Sequence, residues 1–399
     1  MSRRLRLVLS LGAVFAVGGV ALAGPVDLRQ RAVRGYRCVV PVAVQRALRA
    51  GPSWDKAPAG ATRDALALLD RRLTQLGTRS FMVIRDAQTL YESHARCHGP
   101  FTQHYTASAA KALVGGLTAA VALDSGWVRL DDHAIDYVSA WQAREDVQDI
   151  TLRHLSSHSS GMDEAAVDFD YGTHLPGWKG RFWGPPESRW SVALEDVPTV
   201  FEPGSAYRYS NPAFAVFAYG LTAAVDQHTD ATITSLLDEG VMTPLGIPGD
   251  EWTISGGESY AIDGLHLHRM GGGAGFSARA LAALGELMLN GGRIGDRRVL
   301  SEASIDAVTR YTGTPPLSTL AGNPAPGVGW HTNANGAFGS LPVDAFLAAG
   351  AGHQVLLVVP SLNLVVVRSG DPLGGPAWGP EYWARLETEF FAPLMRAIG

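Results

Sequence analysis

The stretch from residue 106 to 114 reads Thr106-Ala107-Ser108-Ala109-Ala110-Lys111-Ala112-Leu113-Val114, and it encloses one cation in an apolar, helix-favouring segment. The chain of 399 residues has 33 lysines and arginines together, and its only lysines are Lys56, Lys111 and Lys179. Most cationic side chains of this chain are arginines, yet the cation inside this apolar segment is a lysine. A buried lysine amine can lose its proton and act as a base, whereas arginine stays charged.

Ser108 lies three residues before Lys111, so the predicted helix places both side chains on one face. Ser108 is also expected at the helix N-terminus, where free N–H groups and the helix dipole favour negative charge. A serine hydroxyl beside a base is a nucleophile beside its activator, which is the chemistry of Ser-x-x-Lys hydrolases. The alternative is a helical serine near a surface lysine, and the four residues alone do not exclude it.

A second motif follows further along the chain, which reads Tyr207-Arg208-Tyr209-Ser210-Asn211-Pro212. Close to an amine, the hydroxyl of Tyr209 would serve as a proton shuttle or as a phenolate. Asn211 lies on the same side of an extended segment, where it would bind a lysine or a substrate amide. The alternative is an ordinary Tyr-Ser-Asn turn.

Composition argues against several classes of function. The formal net charge is −5 and there is no basic stripe or tail, so we expect no nucleic-acid partner. His154 and His158 are spaced as zinc ligands can be, but no glutamate follows His154. His94, Cys97 and His98 lie close together without a second pair of ligands. We therefore expect no metal and no cofactor, and we interpret the histidines as hydrogen-bonded structural residues.

The N-terminus has the pattern of an export signal. Three arginines in the first six residues precede an apolar run at 7–20 and then Ala21-Leu22-Ala23, a small-x-small cleavage pattern. We expect a cleaved signal peptide at 1–23, an N-terminal leader at 24–61 and a periplasmic or secreted bacterial protein. The alternative is an uncleaved anchor, which would be the only membrane contact. Export would allow Cys38 and Cys97 to form a disulfide, and the alternative is two unpaired thiols.

Hydrophobic patterning predicts an α/β fold of the α+β kind. Helical spacing at 63–76 is followed by a hairpin of strands at 80–84 and 89–92. Short β-compatible runs return late, at 329–332, 345–349, 355–359 and 364–368, before a closing amphipathic helix at 380–398. This order predicts an antiparallel sheet built from both ends of the chain and flanked by N- and C-terminal helices, with a mostly helical insert at about 105–290.

The two motifs together resemble the serine β-lactamase-like superfamily, which includes class C β-lactamases, D-alanyl-D-alanine peptidases, esterases and nylon-oligomer hydrolases. Three further segments are similar to the pattern of that family. They are Ile150-Thr151-Leu152-Arg153-His154-Leu155-Ser156-Ser157-His158-Ser159-Ser160-Gly161, the glycine-rich Met270-Gly271-Gly272-Gly273-Ala274-Gly275-Phe276-Ser277-Ala278-Arg279, and the run from Leu289-Asn290-Gly291-Gly292 to Val299-Leu300-Ser301. The resemblance covers 62–399 and implies a β-lactamase/transpeptidase-like serine hydrolase domain, closest to the esterase-amidase branch.

The resemblance also implies roles for the motif residues. Ser108 would be the acylated nucleophile, Lys111 its base partner, and Tyr209 the base or acid for the leaving group. Asn211 would orient Lys111 or the substrate. The oxyanion hole would be formed by the backbone N–H of Ser108 and a second N–H from the third motif strand.

The third motif is where this chain departs from the family pattern. The family usually has Lys-Thr-Gly or His-x-Gly on a late strand, whereas this chain has Ala348-Ala349-Gly350-Ala351 before Gly352-His353-Gln354. Gly350 fits the pattern, and the N–H of Ala351 would be the second oxyanion donor. The cation that helps to hold the substrate carboxylate in β-lactam-processing members is missing, with His353 as the candidate for a partial substitute.

These observations predict an exported serine hydrolase that cleaves a small ester or amide through an acyl-enzyme. Tyr171 and Trp183, in an aromatic segment at 171–190, are candidates for the wall of the substrate cleft; the alternative is an irregular packed loop. One alternative function is β-lactamase or D,D-peptidase (penicillin-binding) activity. Another is a catalytically inactive cell-wall ligand-binding protein of the same fold, which the altered third motif favours.

Overall fold

The computed structural model describes residues 54–57, 60–167, 170–317 and 322–399. The predicted signal peptide and most of the predicted leader lie outside the described residues. Cys38 lies outside them as well, and with it the predicted disulfide to Cys97.

Helices and short strands alternate along the described chain. The α-helices are α1 (Ala61–Gln75), α2 (Leu117–Asp124), α3 (Leu152–Ser156), α4 (Gly177–Phe182), α5 (Ser188–Glu195), α6 (Asn211–Asp226), α7 (Ile233–Leu237), α8 (Ala278–Leu289), α9 (Glu302–Thr309), α10 (Tyr382–Leu386) and α11 (Ala392–Ile398). Segments of π-helix at Lys111–Gly116, Asp238–Met242 and Glu387–Phe391 adjoin α2, α7 and α10. Turns of 3₁₀-helix lie at Ala107–Ala109, Ala134–Asp136, Ser139–Trp141, Glu145–Val147, Ser255–Gly257 and Pro360–Leu362.

The strands form one large sheet and three small ones. They are β1 (Asp55–Lys56), β2 (Thr78–Arg85), β3 (Gln88–His94), β4 (Gln103–Tyr105), β5 (Trp252–Thr253), β6 (Tyr260–Ile262), β7 (Leu265–Leu267), β8 (Gly275–Ser277), β9 (Arg293–Ile294), β10 (Arg297–Arg298), β11 (Ala325–Pro326), β12 (His331–Thr332), β13 (Phe346–Gly350), β14 (Gln354–Val359) and β15 (Leu364–Gly370). The large sheet has the order β1-β3-β2-β15-β14-β13-β12-β11.

Both ends of the chain meet in the middle of the large sheet. Strand β2 pairs with β15 over its length, with Val83 opposite Val366, and the hairpin partner β3 lies outside β2. The pairs in this sheet are antiparallel except for the short contact between β1 and β3. The predicted antiparallel sheet built from both ends of the chain is therefore confirmed.

Alternation along the central strands produces a separate core on each face of the sheet. Val355, Leu357 and Val359 of β14 pack with α1 and the C-terminal helices, whereas Leu356 and Val358 pack on the opposite face with α8 and the helical region. Because successive side chains of a strand point to opposite faces, a strand covered on both sides is a continuous apolar run. This is why β14 and β15 lack the polar alternation of a surface strand.

The helical segment Ala107–Asp124 runs through the larger core. By length and composition it could cross a membrane, but 83% of it is buried inside the protein. Its side chains pack against helix α6 and strand β13, so it is a core helix. The Ser108–Lys111 turn of this segment lies next to strand β13 of the large sheet.

The insert between the two halves of the sheet is mostly helical, as predicted, and it also contains short strands. Strands β4, β8 and β5 form a small sheet, and β6 pairs with β7. Ser210 begins α6 by accepting a hydrogen bond from the Ala213 N–H at 3.1 Å, with Pro212 in the first turn. The cap fixes the direction of the chain immediately before α6, where Tyr209 lies.

One late strand is shorter than the sequence predicts. The apolar run at 329–332 forms a strand only at His331–Thr332. Gly329 has a φ of 72°, and a Cβ there would lie 2.3 Å from the carbonyl oxygen of Lys111. The backbone therefore turns at Gly329 where it passes the helical segment that carries Lys111. Only a glycine can lie so close to the backbone of that segment.

Packing between α8 and the large sheet generates a test of the fold. A Cβ at Gly285 would lie 2.4 Å from Val365 Cγ1 and 2.9 Å from Leu356 Cδ1. We expect Gly285→Val to lower the free energy of unfolding by about 1–3 kcal/mol, because a close-packed core does not admit extra methyl groups without strain. Urea denaturation measures the change. Gly249→Val is the matched control, since a Cβ there meets nothing within 4 Å, and equal losses in both variants would contradict the packing.

Candidate active site

Ser108 lies in the first turn of the buried helix and is half-buried. Thr106, two residues earlier, is held next to the start of strand β8. Its N–H and its hydroxyl both donate to the carbonyl oxygen of Ala274 at 3.0 Å. Ala107 has a φ of 47°, in the left-handed region that a residue with a side chain rarely adopts. A strained turn thus directly precedes the predicted nucleophile, and such strain persists only where surrounding contacts hold it.

Lys111 is buried with its amine directed at polar atoms. Its side chain is 2% exposed, and Nζ lies 2.9 Å from Asn211 Oδ1, 3.0 Å from the carbonyl oxygen of Gly271 and 3.5 Å from Ser108 Oγ. A neutral amine has two N–H donors and one lone pair. The two oxygen acceptors can take both N–H groups, which leaves the lone pair for the hydroxyl of Ser108.

The environment of Lys111 favours that neutral amine. Burial lowers the pKa of Lys111 from 10.5 to about 7, with the carboxylate of Glu164 opposing the change and the guanidinium of Arg189 adding to it. A base with a pKa near the working pH combines a large neutral fraction with useful basicity. Lys111 is buried, as the sequence predicts, and its role as a base stays a prediction.

Tyr209 completes a short hydrogen-bonded chain at the site. Its hydroxyl donates to Ser108 Oγ at 2.8 Å, and its ring lies 4.7 Å from Lys111 Nζ. Burial raises the pKa of Tyr209 well above 10, so the phenol keeps its proton. Because the pKa values of the amine and the phenol are shifted apart, the geometry suits Lys111 as base and Tyr209 as acid.

The stretch at 150–161 that resembles the family pattern holds the tyrosine segment in place. The N–H of Arg208 donates to the carbonyl oxygen of His158 at 2.9 Å, and the N–H of Ser210 donates to His158 Nδ1 at 3.3 Å. The imidazole of His158 lies 4.5 Å from the ring of Tyr209. Asp163 pairs with Arg208 and, at 3.1 Å, with Lys179. His158 is therefore a structural residue, as the sequence predicted.

Asn211 and Glu164 form the outer part of the site. While Asn211 Oδ1 accepts from Lys111, its Nδ2 donates to Glu164 Oε1 at 3.2 Å and its backbone N–H donates to Glu164 Oε2 at 2.7 Å. The N–H of Ala166 also donates to Glu164, at 3.0 Å. The carboxylate of Glu164 thereby holds the amide of Asn211 with its oxygen toward Lys111. This is the contact with Lys111 that the sequence predicts for Asn211.

Gly350 brings the end of β13 against the turn that carries Ser108. A Cβ at Gly350 would lie 2.1 Å from the carbonyl oxygen of Thr106 and 3.1 Å from the backbone nitrogen of Ser108. Ala351 follows immediately after the strand. The structure therefore brings the predicted oxyanion residue Gly350 beside the backbone of Ser108, with the predicted donor Ala351 next to it in the chain, and a glycine is needed for that approach.

The residues that follow Gly350 do not present a cation to Ser108. His353 is buried against the ring of Tyr382, with centroids 4.7 Å apart, and burial lowers its pKa to about 3, so it stays neutral. Arg368 is buried nearby, but its NH1 donates to the carbonyl oxygens of Gly352 and His353 at 2.7 and 2.8 Å. Its guanidinium fixes the turn, and the neutral His353 is a poor substitute for the missing cation.

Tyr171 and Trp183 belong to an aromatic cluster beside the site. Their rings meet edge to face at 5.3 Å, and Trp378 meets the other edge of Tyr171 at 5.5 Å. Tyr171 is close enough to Tyr209 to contribute to its raised pKa. The aromatic segment that the sequence predicts as a wall of the cleft therefore packs next to the proposed reacting groups.

Sequence reasoning missed two charged residues of the site. Glu164 hydrogen-bonds to Asn211 but belongs to no recognisable motif. Arg189 interacts electrostatically with Lys111, but its sequence surroundings do not distinguish it from other helical arginines. Both reach the site only through folding of the insert. Among the described residues there is no group of three or more histidine, cysteine, aspartate or glutamate side chains that could hold a metal ion.

The fold and the serine–lysine–tyrosine arrangement are of the serine-hydrolase type. The sequence model of the Beta-lactamase family matches residues 67–369. Because that span covers most of the chain, this chain belongs to the Beta-lactamase family. The predicted family and the predicted fold class are confirmed.

Known proteins similar to this chain include hydrolases. The 6-aminohexanoate-dimer hydrolase of Paenarthrobacter ureafaciens is 23% identical over 256 residues, which are 61% of this chain and 61% of that enzyme. A penicillin-binding protein homologue from Caulobacter crescentus matches with a TM-score of 0.59 and 17% identity, over 84% of this chain and 99% of its own. A family VIII carboxylesterase has the same TM-score and identity, over 86% and 99%. The structural likenesses establish the shared fold.

The lowered pKa of Lys111 can be measured directly, because the chain has only three lysines. In protein labelled with ¹³C at lysine Cε, we expect the signal absent from Lys111→Arg to titrate near pH 7. Glu164→Gln should move that titration to lower pH, because the carboxylate favours the ammonium form. A signal from Lys111 that titrates near 10.5 in both proteins would contradict the buried, neutral amine.

Proposed function

We propose that this chain is an exported serine hydrolase that cleaves a small ester or amide through an acyl-enzyme on Ser108. The observation that supports it best is the position of Ser108 Oγ, 2.8 Å from the hydroxyl of Tyr209 and 3.5 Å from the amine of Lys111. A nucleophile, a base of lowered pKa and an acid of raised pKa are then within reach of one carbonyl carbon. The apolar run at 7–20 behind three arginines supports export.

Acylation begins when neutral Lys111 takes the proton of the Ser108 hydroxyl. The serine oxygen forms a bond to the substrate carbonyl carbon, and the carbonyl π electrons move onto its oxygen. Asn211 and Gly271 hold the two N–H groups of the amine, so its lone pair faces Ser108. The backbone N–H groups of Ser108 and Ala351 would stabilise the oxyanion, since Gly350, the residue before Ala351, lies against the serine turn.

Tyr209 protonates the leaving group as the tetrahedral intermediate collapses. Its hydroxyl hydrogen goes to the departing alcohol or amine while the C–O or C–N bond breaks, and the ammonium of Lys111 returns a proton to the tyrosinate. Water then attacks the acyl-enzyme by the same route in reverse: it loses a proton to the Lys111–Tyr209 pair, and Ser108 regains one as the acid is released. Both half-reactions conserve protons without an added cofactor.

The altered third motif favours an ester or amide substrate over a β-lactam. Gly350 and Ala351 are retained beside Ser108, but the neighbouring His353 is neutral and Arg368 is bound to backbone oxygens. No described side chain of that motif can hold a β-lactam carboxylate. The names of two similar proteins, a 6-aminohexanoate-dimer hydrolase and a carboxylesterase, agree with amide or ester cleavage.

Replacement of the nucleophile or the base should stop the reaction. We expect Ser108→Ala to abolish labelling by a fluorophosphonate probe and hydrolysis of p-nitrophenyl acetate. Lys111→Arg should lower kcat/KM by about 10²- to 10⁴-fold, because arginine keeps its charge and cannot accept the proton of Ser108. Lys56→Arg, at an exposed lysine of strand β1, is the control.

Two results would contradict this mechanism. Labelling of Ser108→Ala as strong as that of wild type would remove Ser108 as the nucleophile. Near-normal turnover in Lys111→Arg would show that Lys111 is not the base. Absence of all labelling in the wild type would favour the inactive ligand-binding alternative.

A chromogenic cephalosporin separates the esterase proposal from β-lactamase activity. We expect wild-type protein to hydrolyse p-nitrophenyl esters and to leave the cephalosporin intact, because the third motif offers no cation for its carboxylate. The two rates are compared in one preparation by absorbance, with Ser108→Ala as the blank. Cephalosporin turnover that matches or exceeds ester turnover would overturn the choice of substrate class.

A further inference from the structure

Arg189 is a largely buried cation whose side chain has no acidic partner among the described residues. It lies in the first turn of α5, where the helix dipole disfavours a positive charge. Its guanidinium packs over the ring of Trp183, 5.4 Å from the ring centre, and its Nε is buried without a hydrogen-bond acceptor. Neither the helix nor an ion pair therefore accounts for this charge.

The surroundings of Arg189 add positive charge instead of neutralising it. Burial and the nearby guanidinium of Arg269 lower the pKa of Arg189 to about 10, and Tyr105 and Tyr260 are its other electrostatic neighbours. Arg269 lies 5.7 Å from the ring centre of Tyr260, and its Nε is also buried without an acceptor. Its contact with the exposed carboxylate of Glu258 is long, at 3.8 Å. The NH2 group of Arg269 donates to the carbonyl oxygen of Ser255 at 3.0 Å, but neither guanidinium has a close carboxylate among the described residues, and an anion would stabilise these two like charges.

This positive region adjoins the reacting groups. Arg269 is two residues before Gly271, whose carbonyl oxygen accepts from the amine of Lys111 at 3.0 Å. On the other side, Trp183 under Arg189 meets the ring of Tyr171 at 5.3 Å. The charge of Arg189 also contributes to the lowered pKa of Lys111. Arg189 is therefore connected to the site through the rings of Trp183 and Tyr171, and it interacts electrostatically with Arg269 and Lys111.

We propose that Arg189, with Arg269 beside it, binds a carboxylate of the ester or amide substrate. This inference rests on the proposed function and specifies its substrate class as acids that carry a free carboxylate besides the scissile bond. A guanidinium presents a planar fork of donors that matches a carboxylate, and burial strengthens the contact. Arg189 belongs to helix α5 of the insert, so this carboxylate would be held by a different element from the third motif and would not take the place of the β-lactam carboxylate there.

The test compares two probes that differ in one charge. Monomethyl adipate has an ester and a free carboxylate, and dimethyl adipate is the neutral match. Calorimetry with Ser108→Ala protein measures binding without turnover, so the result does not depend on catalysis. We expect the monoester to bind more tightly than the diester, and the ratio of their affinities to fall about 10- to 100-fold when Arg189→Met is added, as for a hydrogen bond to a charged group.

Arg181→Met is the matched control, because Arg181 is exposed and already paired with Asp196 at 2.8 Å. It should leave the affinity ratio unchanged. An unpaired buried cation does not stabilise the fold, so Arg189→Met should not lower Tm, whereas a structural role predicts a lower Tm. If Arg189→Met is poorly folded, added sodium chloride on the single variant Ser108→Ala should weaken monoester binding selectively.

The outcomes separate this inference from the proposed function. Equal affinities for the two adipate esters, or a ratio unchanged by Arg189→Met, would overturn the carboxylate site even if Ser108 is labelled and esters are cleaved. Selective monoester binding without any labelling of wild-type Ser108 would retain the site and reject the hydrolase. Selective binding with labelling supports both.

Discussion

The site depends on one buried amine that needs hydrogen-bond partners and must also be able to lose its proton. Lys111 is almost fully enclosed, so its charged form is disfavoured and its pKa falls to about 7. The oxygens of Asn211 and Gly271 satisfy its two N–H groups, and Ser108 lies on the remaining side. Each of these partners comes from a different part of the chain, so the site exists only when those parts are packed together.

Several elements serve that packing. Glu164 fixes the amide of Asn211, His158 holds the segment of Tyr209, and Gly350 lets strand β13 approach the serine turn. Strands β13 and β14 are buried throughout, with a core on each face of the sheet, so the strand that meets the serine turn is supported on both sides. A rigid scaffold with a strained turn at Ala107 is typical of a preorganised site.

The arginines around the site differ in how their guanidinium groups are hydrogen-bonded. Arg368 is a cation bound to backbone oxygens, so it stabilises the turn after Gly350. The buried Nε of Arg189 has no acceptor, whereas its neighbour Arg269 donates to the carbonyl oxygen of Ser255 at 3.0 Å and has a long contact to the exposed carboxylate of Glu258. This difference in pairing is why Arg189 is proposed to bind substrate and Arg368 is described as structural.

The sequence by itself determined the sheet built from both chain ends, the buried Ser108–Lys111 helix and the family, because apolar periodicity and short motifs depend on local residues. It also selected Tyr209, Asn211 and Gly350, which the structure brings to Ser108. Only the tertiary structure decided that Tyr209 keeps its proton, that Glu164 orients Asn211 and that Arg189 acts electrostatically on Lys111 while its buried Nε has no acceptor. Burial and the distances between residues far apart in sequence set these properties, and no local pattern encodes them.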